Sequence, residues 1–131
     1  MSPLLWAVSR NDLRMPTLLL DHGADSNQPT KDGVTPIFLA TVFPPKDARD
    51  LSLATLLVER GADVTRPGEN GQTALEWVAF YGHVPIAQFL VEHGADVNAL
   101  DRFGQTPLSM AKGQHRDEMI AFLTTRGAAN R

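Results

Sequence analysis

Cysteine is absent from the 131 residues, which excludes disulfides and thiolate metal sites while fitting any compartment. A charge excess is missing too. Twelve basic residues stand against fifteen acidic ones, so the chain lacks the basic footprint that a nucleic-acid backbone or an anionic membrane requires. Long apolar runs are also lacking. The opening MSPLLWAVSRNDLR has no basic segment ahead of an apolar run that lasts only from Leu4 to Val8, too short for a signal peptide, and the other runs fall far below a membrane span. The expected location is the cytoplasm. HExxH, GxSxG, GxGxxG and GK[ST] do not occur, so no catalytic residue, cofactor or metal is expected.

What is present is a profile of 43% hydrophobic and 21% charged residues, that of one globular domain with a core. It is also periodic. Gly23, Gly61, Gly94 and Gly127 close apolar runs in DHGAD, ERGAD, EHGAD and TRGAA, at intervals of 38, 33 and 33. SPL at 2–4, TPI at 35–37, TAL at 73–75 and TPL at 106–108 recur at 33, 38 and 33, so two marks share one spacing and its single irregularity.

Each unit reads as two helices followed by an extended turn. Ser2, Thr35, Thr73 and Thr106 suit N-caps, with Pro3, Pro36 and Pro107 at the first helical position, where a missing N–H costs nothing. Apolar residues then recur on one face of a second helix, as in Ile86, Phe89, Leu90 and Val91, before a glycine suited to the left-handed end of a helix. Asp, Asn and Gly fill the connectors, which suits hairpin-like turns.

These residues closely resemble the ankyrin repeat, roughly DGxTPLHLAAxxGHxxIVxxLLxxGADVN. The stretch NGQTALEWVAFYGHVPIAQFLVEHGADVNALD matches it nearly end to end. The resemblance implies an all-α fold over residues 1–131, a solenoid of four helix-turn-helix units at 2–31, 32–69, 70–102 and 103–131 with β-hairpin-like connecting turns. Trp6, Leu39, Trp77 and Met110 then occupy one equivalent site in the first helix, and Leu18, Leu56, Phe89 and Phe122 one in the second. All eight are expected in the core. Thr124 stands where other copies have Leu20, Val58 and Val91, the expected polar cap of a complete small array.

Departures from the pattern are informative. The TPLH histidine is replaced by Leu5, Phe38, Glu76 and Ser109, so stability should lean on packing. Pro16 is expected to delay or kink its helix. Five extra residues in the second unit fall around FPPKDARD at 43–50, a stiffened loop and a possible contact ridge. His93 with Asp96 has the look of a catalytic pair, yet His22, Arg60 and Arg126 hold the histidine's place elsewhere. A basic residue at a helix C-terminus explains all four.

The resemblance further implies a protein partner, bound along a groove of hairpin tips and first-helix residues, and a monomer. Position by position this gives Lys31, Asp32, Val34, Glu69, Asn70, Gln72, Arg102, Phe103 and Gln105 on the tips, and Val42, Phe43, Phe80, Tyr81, Lys112 and Gly113 at the first-helix ends. Phe80 and Tyr81 are the expected centre, with Arg102 and Phe103 above and Phe43 beside, because exposed aromatics mark interaction surfaces. The expected role is a non-enzymatic adaptor or inhibitor. The competing expectations are a site for small-molecule binding or catalysis assembled across the groove from Glu76, His83, Tyr81 and residues of the 43–50 insertion, which requires a deep pocket with a perturbed carboxylate, and a structural spacer or scaffold fragment.

Overall fold

The computed structural model describes residues 3–10, 13–42 and 51–128, with Glu69 described by its backbone alone. Eight α-helices lie in this part: α1 (Pro3–Ser9), α2 (Arg14–Asp21), α3 (Pro36–Val42), α4 (Ser52–Glu59), α5 (Ala74–Tyr81), α6 (Val84–Glu92), α7 (Pro107–Gly113) and α8 (Asp117–Thr125). They form four pairs. The odd-numbered helices stack in chain order, α1 on α3, α3 on α5 and α5 on α7, each with its even-numbered partner behind it.

The first helix of a pair is started by its cap. Thr35, Thr73 and Thr106 accept the N–H of Phe38, Glu76 and Ser109 through Oγ1, at 3.3, 3.3 and 3.2 Å. At α7 the bond is reciprocated, since Ser109 Oγ accepts the Thr106 N–H at 2.8 Å. Ser109 thus recovers polar bonding at one position that lacks the family's histidine. The second helices begin on Leu13, Leu51, His83 and Arg116, none of which makes a side-chain cap bond. Their stability therefore comes from the apolar face they bury.

All four second helices end alike. At α6, the Ala95 N–H reaches the Leu90 carbonyl and the Gly94 N–H reaches Val91, which closes a Schellman motif around Gly94 at φ 103°. The same pair of bonds recurs at Gly23, Gly61 and Gly127. Any side chain there would meet the Cβ penalty of left-handed backbone, which is why the repeat register is written in glycine.

Pro16 neither kinks nor delays α2. It is the third residue of the helix, where the N–H has no intrahelical acceptor, and the first regular bond, Thr17 N–H to Leu13, forms at 3.1 Å. The start of α2 lies nine residues before its glycine, as α4 does, and one residue later than α6 or α8.

The core runs through all four pairs and includes Leu4, Ile37, Leu57, Leu75, Ile86, Leu90, Met119 and Leu123. Six of the eight expected core residues are buried or half-buried: Met110 and Phe89 fully, Leu39, Leu56, Trp77 and Phe122 in part. Trp6 and Leu18 are not. Both are 52% exposed, because their sites face a preceding repeat, and among the described residues no element packs on that side of the first pair. Trp6 instead lies beneath the Arg10 guanidinium, 4.9 Å from the ring centre. Thr124 is exposed and returns its hydroxyl to the Ile120 carbonyl at 2.7 Å.

The connectors contain no strand among the described residues, so the hairpin-like expectation is reduced to three compact tips. Each tip is a turn closed by two backbone bonds: Thr30 N–H to Val34 with Gly33 N–H to Thr30, Gly68 with Gln72 and Gly71, and Asp101 with Gln105 and Gly104. Successive tips touch. The Arg102 N–H donates to the Asn70 carbonyl at 2.8 Å, and a Cβ on Gly71 would lie 3.4 Å from the Arg102 nitrogen. Gly71 is thus favoured by its φ of 72°, since the next tip would meet a Cβ only at ordinary contact distance.

Candidate binding groove

Helical spacing builds the groove. Phe38 and Val42 stand four apart on α3, and Trp77 and Tyr81 four apart on α5, so each pair shares one face of its helix. With Asp32, Gly33 and Val34 from the first tip and Gly68 and Gln72 from the second, these side chains line a cleft of about 280 Å³ between the second and third units. The floor is mostly apolar. Asp32, exposed on the rim, is the charged residue in the lining.

The aromatic residues of α5 hold one another in place. Tyr81 is 39% exposed and stacks at 6.3 Å on Trp77, while Phe80 meets both edge-on, at 5.5 Å from Trp77 and 5.1 Å from Tyr81. Behind them, Arg116 Nε donates to the Phe80 carbonyl at 3.2 Å. His83 also stacks on Tyr81, at 6.3 Å. Burial, and then the nearby Arg116 charge, hold its imidazole below the usual histidine range.

The structure brings part of the expected site together. Asp32, Gln72 and Tyr81 meet at the cleft, as do Val34 and Val42. Lys31 is exposed on the same tip as Asp32. Arg102, Phe103 and Gln105 lie outside the cleft on the third tip, where Phe103 is 64% exposed. Phe80 is half-buried and supports the cleft without lining it. Asn70 is half-buried and occupied through its carbonyl by the next tip. Lys112 and Gly113 are exposed at the end of α7. Phe43, the 43–50 insertion and the Glu69 side chain lie outside the described residues.

Phe38 and Trp77 are lining side chains that sequence reasoning does not assign to the groove, as are the glycines Gly33 and Gly68. By the repeat pattern Phe38 marks only a lost histidine and Trp77 a core site. Their four-residue spacing from Val42 and Tyr81 on adjacent helices was the signal that pairs them. Leu100, exposed just before the third tip, was missed as well.

A different kind of site lies beneath the groove. Glu76, on the first turn of α5, is fully buried, and neither carboxyl oxygen makes a well-formed hydrogen bond. Its pKa is pushed up to about 8, mainly by burial and then by Asp101, which acts both as a hydrogen-bond partner and as a like charge; the Thr73 N–H pulls weakly the other way. Asp101 is buried as well, and burial alone would raise its carboxyl. The Gln105 N–H, the Glu76 side chain, the Phe103 N–H and Gln72 outweigh that and hold it below the usual range. Glu76 is therefore a perturbed carboxylate, but it is sealed from solvent and does not line the cleft.

His22 and His93, each at the C-terminal end of a second helix, make local contacts. His22 Nδ1 lies 2.9 Å from the Leu18 carbonyl, His93 packs on Phe89 at 4.5 Å, and Asp96 caps the Asn98 N–H at 2.8 Å. No cluster of three metal-ligating side chains occurs among the described residues. Nor is any described helix long and apolar enough to cross a membrane.

Residues 46–130 match the family model for ankyrin repeats in three copies, and residues 1–31 match the single ankyrin repeat. The chain belongs to the ankyrin repeat family. Ankyrin repeats are generally protein–protein interaction modules, and here the four stacked pairs and three touching tips give the ankyrin groove its shape. Comparison with curated proteins gives no match.

Proposed function

We propose that this ankyrin repeat chain is a non-enzymatic adaptor or inhibitor that binds a protein partner along its groove, anchoring one apolar side chain of that partner in the cleft. The observation that carries the reading is the cleft itself, floored by Phe38, Val42, Trp77 and Tyr81 and rimmed by polar groups of two tips. Such a slot suits a buried anchor surrounded by a polar rim, the usual anatomy of an interface. Phe103, exposed on the third tip, extends the contact toward α7. The reading includes a monomer in the cytoplasm.

The test is capture from a lysate of the source organism by the wild type and by a Tyr81→Glu/Phe103→Glu double variant. Both substituted side chains are exposed, so the variant should retain the wild-type circular dichroism spectrum. A protein held by the wild type and lost by the folded variant supports the groove. The same protein held equally by both contradicts it.

A further inference from the structure

We infer that Glu76 and Asp101 form a proton-bridged latch that fixes the third tip, and that removing the shared proton releases the tip bearing Arg102 and Phe103. The consequence for binding rests on the groove reading above. The latch itself does not.

The geometry requires a proton. Both Glu76 oxygens are buried without a well-formed bond, so an ionised carboxylate would sit in the repeat interior without adequate donors. The group beside it is Asp101, itself buried and ionised, which can only accept. One carboxyl of the pair must therefore donate. Asp101 is the better anion, because its Oδ1 already accepts the N–H groups of Phe103 at 2.8 Å and Gln105 at 2.9 Å, and Gln72 Nε2 approaches its Oδ2 at 3.4 Å. The proton rests on Glu76.

Among the described residues, the surroundings offer no substitute. The influences on the Glu76 carboxyl are burial, Asp101 and the Thr73 N–H, none of them a cation. Among the elements packed against α5, α3 carries no titratable side chain; α6 ends in exposed Glu92; α7 carries exposed Lys112. Tyr81 is the last residue of α5, at the end opposite Glu76, His83 lies just past it, and Arg102 is exposed on the tip. When base takes the proton, two buried like charges face each other, and the element free to yield is the tip that Asp101 organises. Asp101 links that tip to Gln72 in the cleft wall, so the same event disturbs both parts of the groove.

The experiment follows the side-chain carboxyl carbons of glutamate and the backbone amides by NMR from about pH 6 to 10, in the wild type and in Glu76→Gln. Glutamine keeps the shape of the protonated acid and can donate to Asp101, so this variant should fold with the latch closed. The expected result is a Glu76 midpoint near 8, far above the 4.5 of a free glutamate, with the Phe103 and Gln105 amides shifting at that midpoint in the wild type and staying still in Glu76→Gln. A Glu76 carboxyl already ionised at pH 6 overturns the latch, as do tip amides that move equally in both proteins. Should the variant fail to fold, the wild-type titration still decides, through the midpoint of Glu76 and its agreement with the tip amides. No partner is needed, so failure of the groove to bind and failure of the latch are separate outcomes.

Discussion

Asn27 fastens the first repeat to the second: its Nδ2 donates to the Gly61 carbonyl at 2.9 Å while its Oδ1 accepts the Asp63 N–H at 2.7 Å. Asn98 reaches Gly127 in the same way at 3.3 Å. Between the second and third repeats the equivalent residue is Thr65, whose hydroxyl turns back to Asp63 Oδ1 at 2.6 Å and makes no such bridge. Replacing Thr65 with asparagine should therefore stabilise the array by about 0.5–1.5 kcal/mol, the net worth of a hydrogen bond. Asn27→Ala should cost a similar amount. Urea denaturation of the two variants against the wild type checks both signs, and a destabilising Thr65→Asn would show that the second junction is not limited by this missing bridge.

The core makes a larger claim. Leu90 is fully buried on α6 and accepts the Ala95 N–H that closes the helix, so truncating its side chain leaves a cavity between repeats. Leu90→Ala should cost about 2–5 kcal/mol, seen as a clear drop in Tm.

Trp6 gives the opposite expectation. Half of its surface is exposed and its recorded partner is the Arg10 cation, so Trp6→Ala should cost less than about 1 kcal/mol despite the size of the side chain. A loss as large as that of Leu90→Ala would mean that this face of α1 is covered in solution.

Glu76 makes stability depend on pH. An unfolded glutamate ionises near 4.5 and the native one near 8, so between these values the native state holds the extra proton and stability falls as pH rises, by at most about 1.4 kcal/mol per pH unit. His83 acts in the other direction. Its native imidazole is held below 6.5, so the unfolded chain binds the extra proton at and below that pH and stability falls as pH drops there. Asp101 is ionised in both states well above 3.8. The window from about 6.5 to 8 therefore belongs to Glu76. Urea denaturation across it should show a decline in the wild type and a nearly flat line in Glu76→Gln, whereas a flat wild type would contradict a raised Glu76.

The repeat was legible because its marks are local. Thr35, Thr73 and Thr106 cap, and Gly23, Gly61, Gly94 and Gly127 enter left-handed backbone, whatever surrounds them. Exposure is not local. Trp6 and Trp77 hold the same position in the pattern, but α3 lies beside one and no described element beside the other, which period alone does not reveal. The groove was half legible for a related reason: Tyr81 and the tips follow from the pattern, while the cleft needs α3 and α5 set side by side before Phe38 and Trp77 face one space. Glu76 showed in the sequence only as a histidine lost. Its meaning depends on Asp101, twenty-five residues away and brought under it by the next tip.

The central claim is that the cleft between α3 and α5 receives the partner, and photo-crosslinking tests it most directly. A benzophenone amino acid is placed at Tyr81 in one protein and at Gln88, exposed on α6, in another, and both are irradiated in the lysate of the source organism. The account predicts one discrete adduct from position 81 and none from position 88; an adduct from position 88 alone would place binding on the opposite face and contradict it.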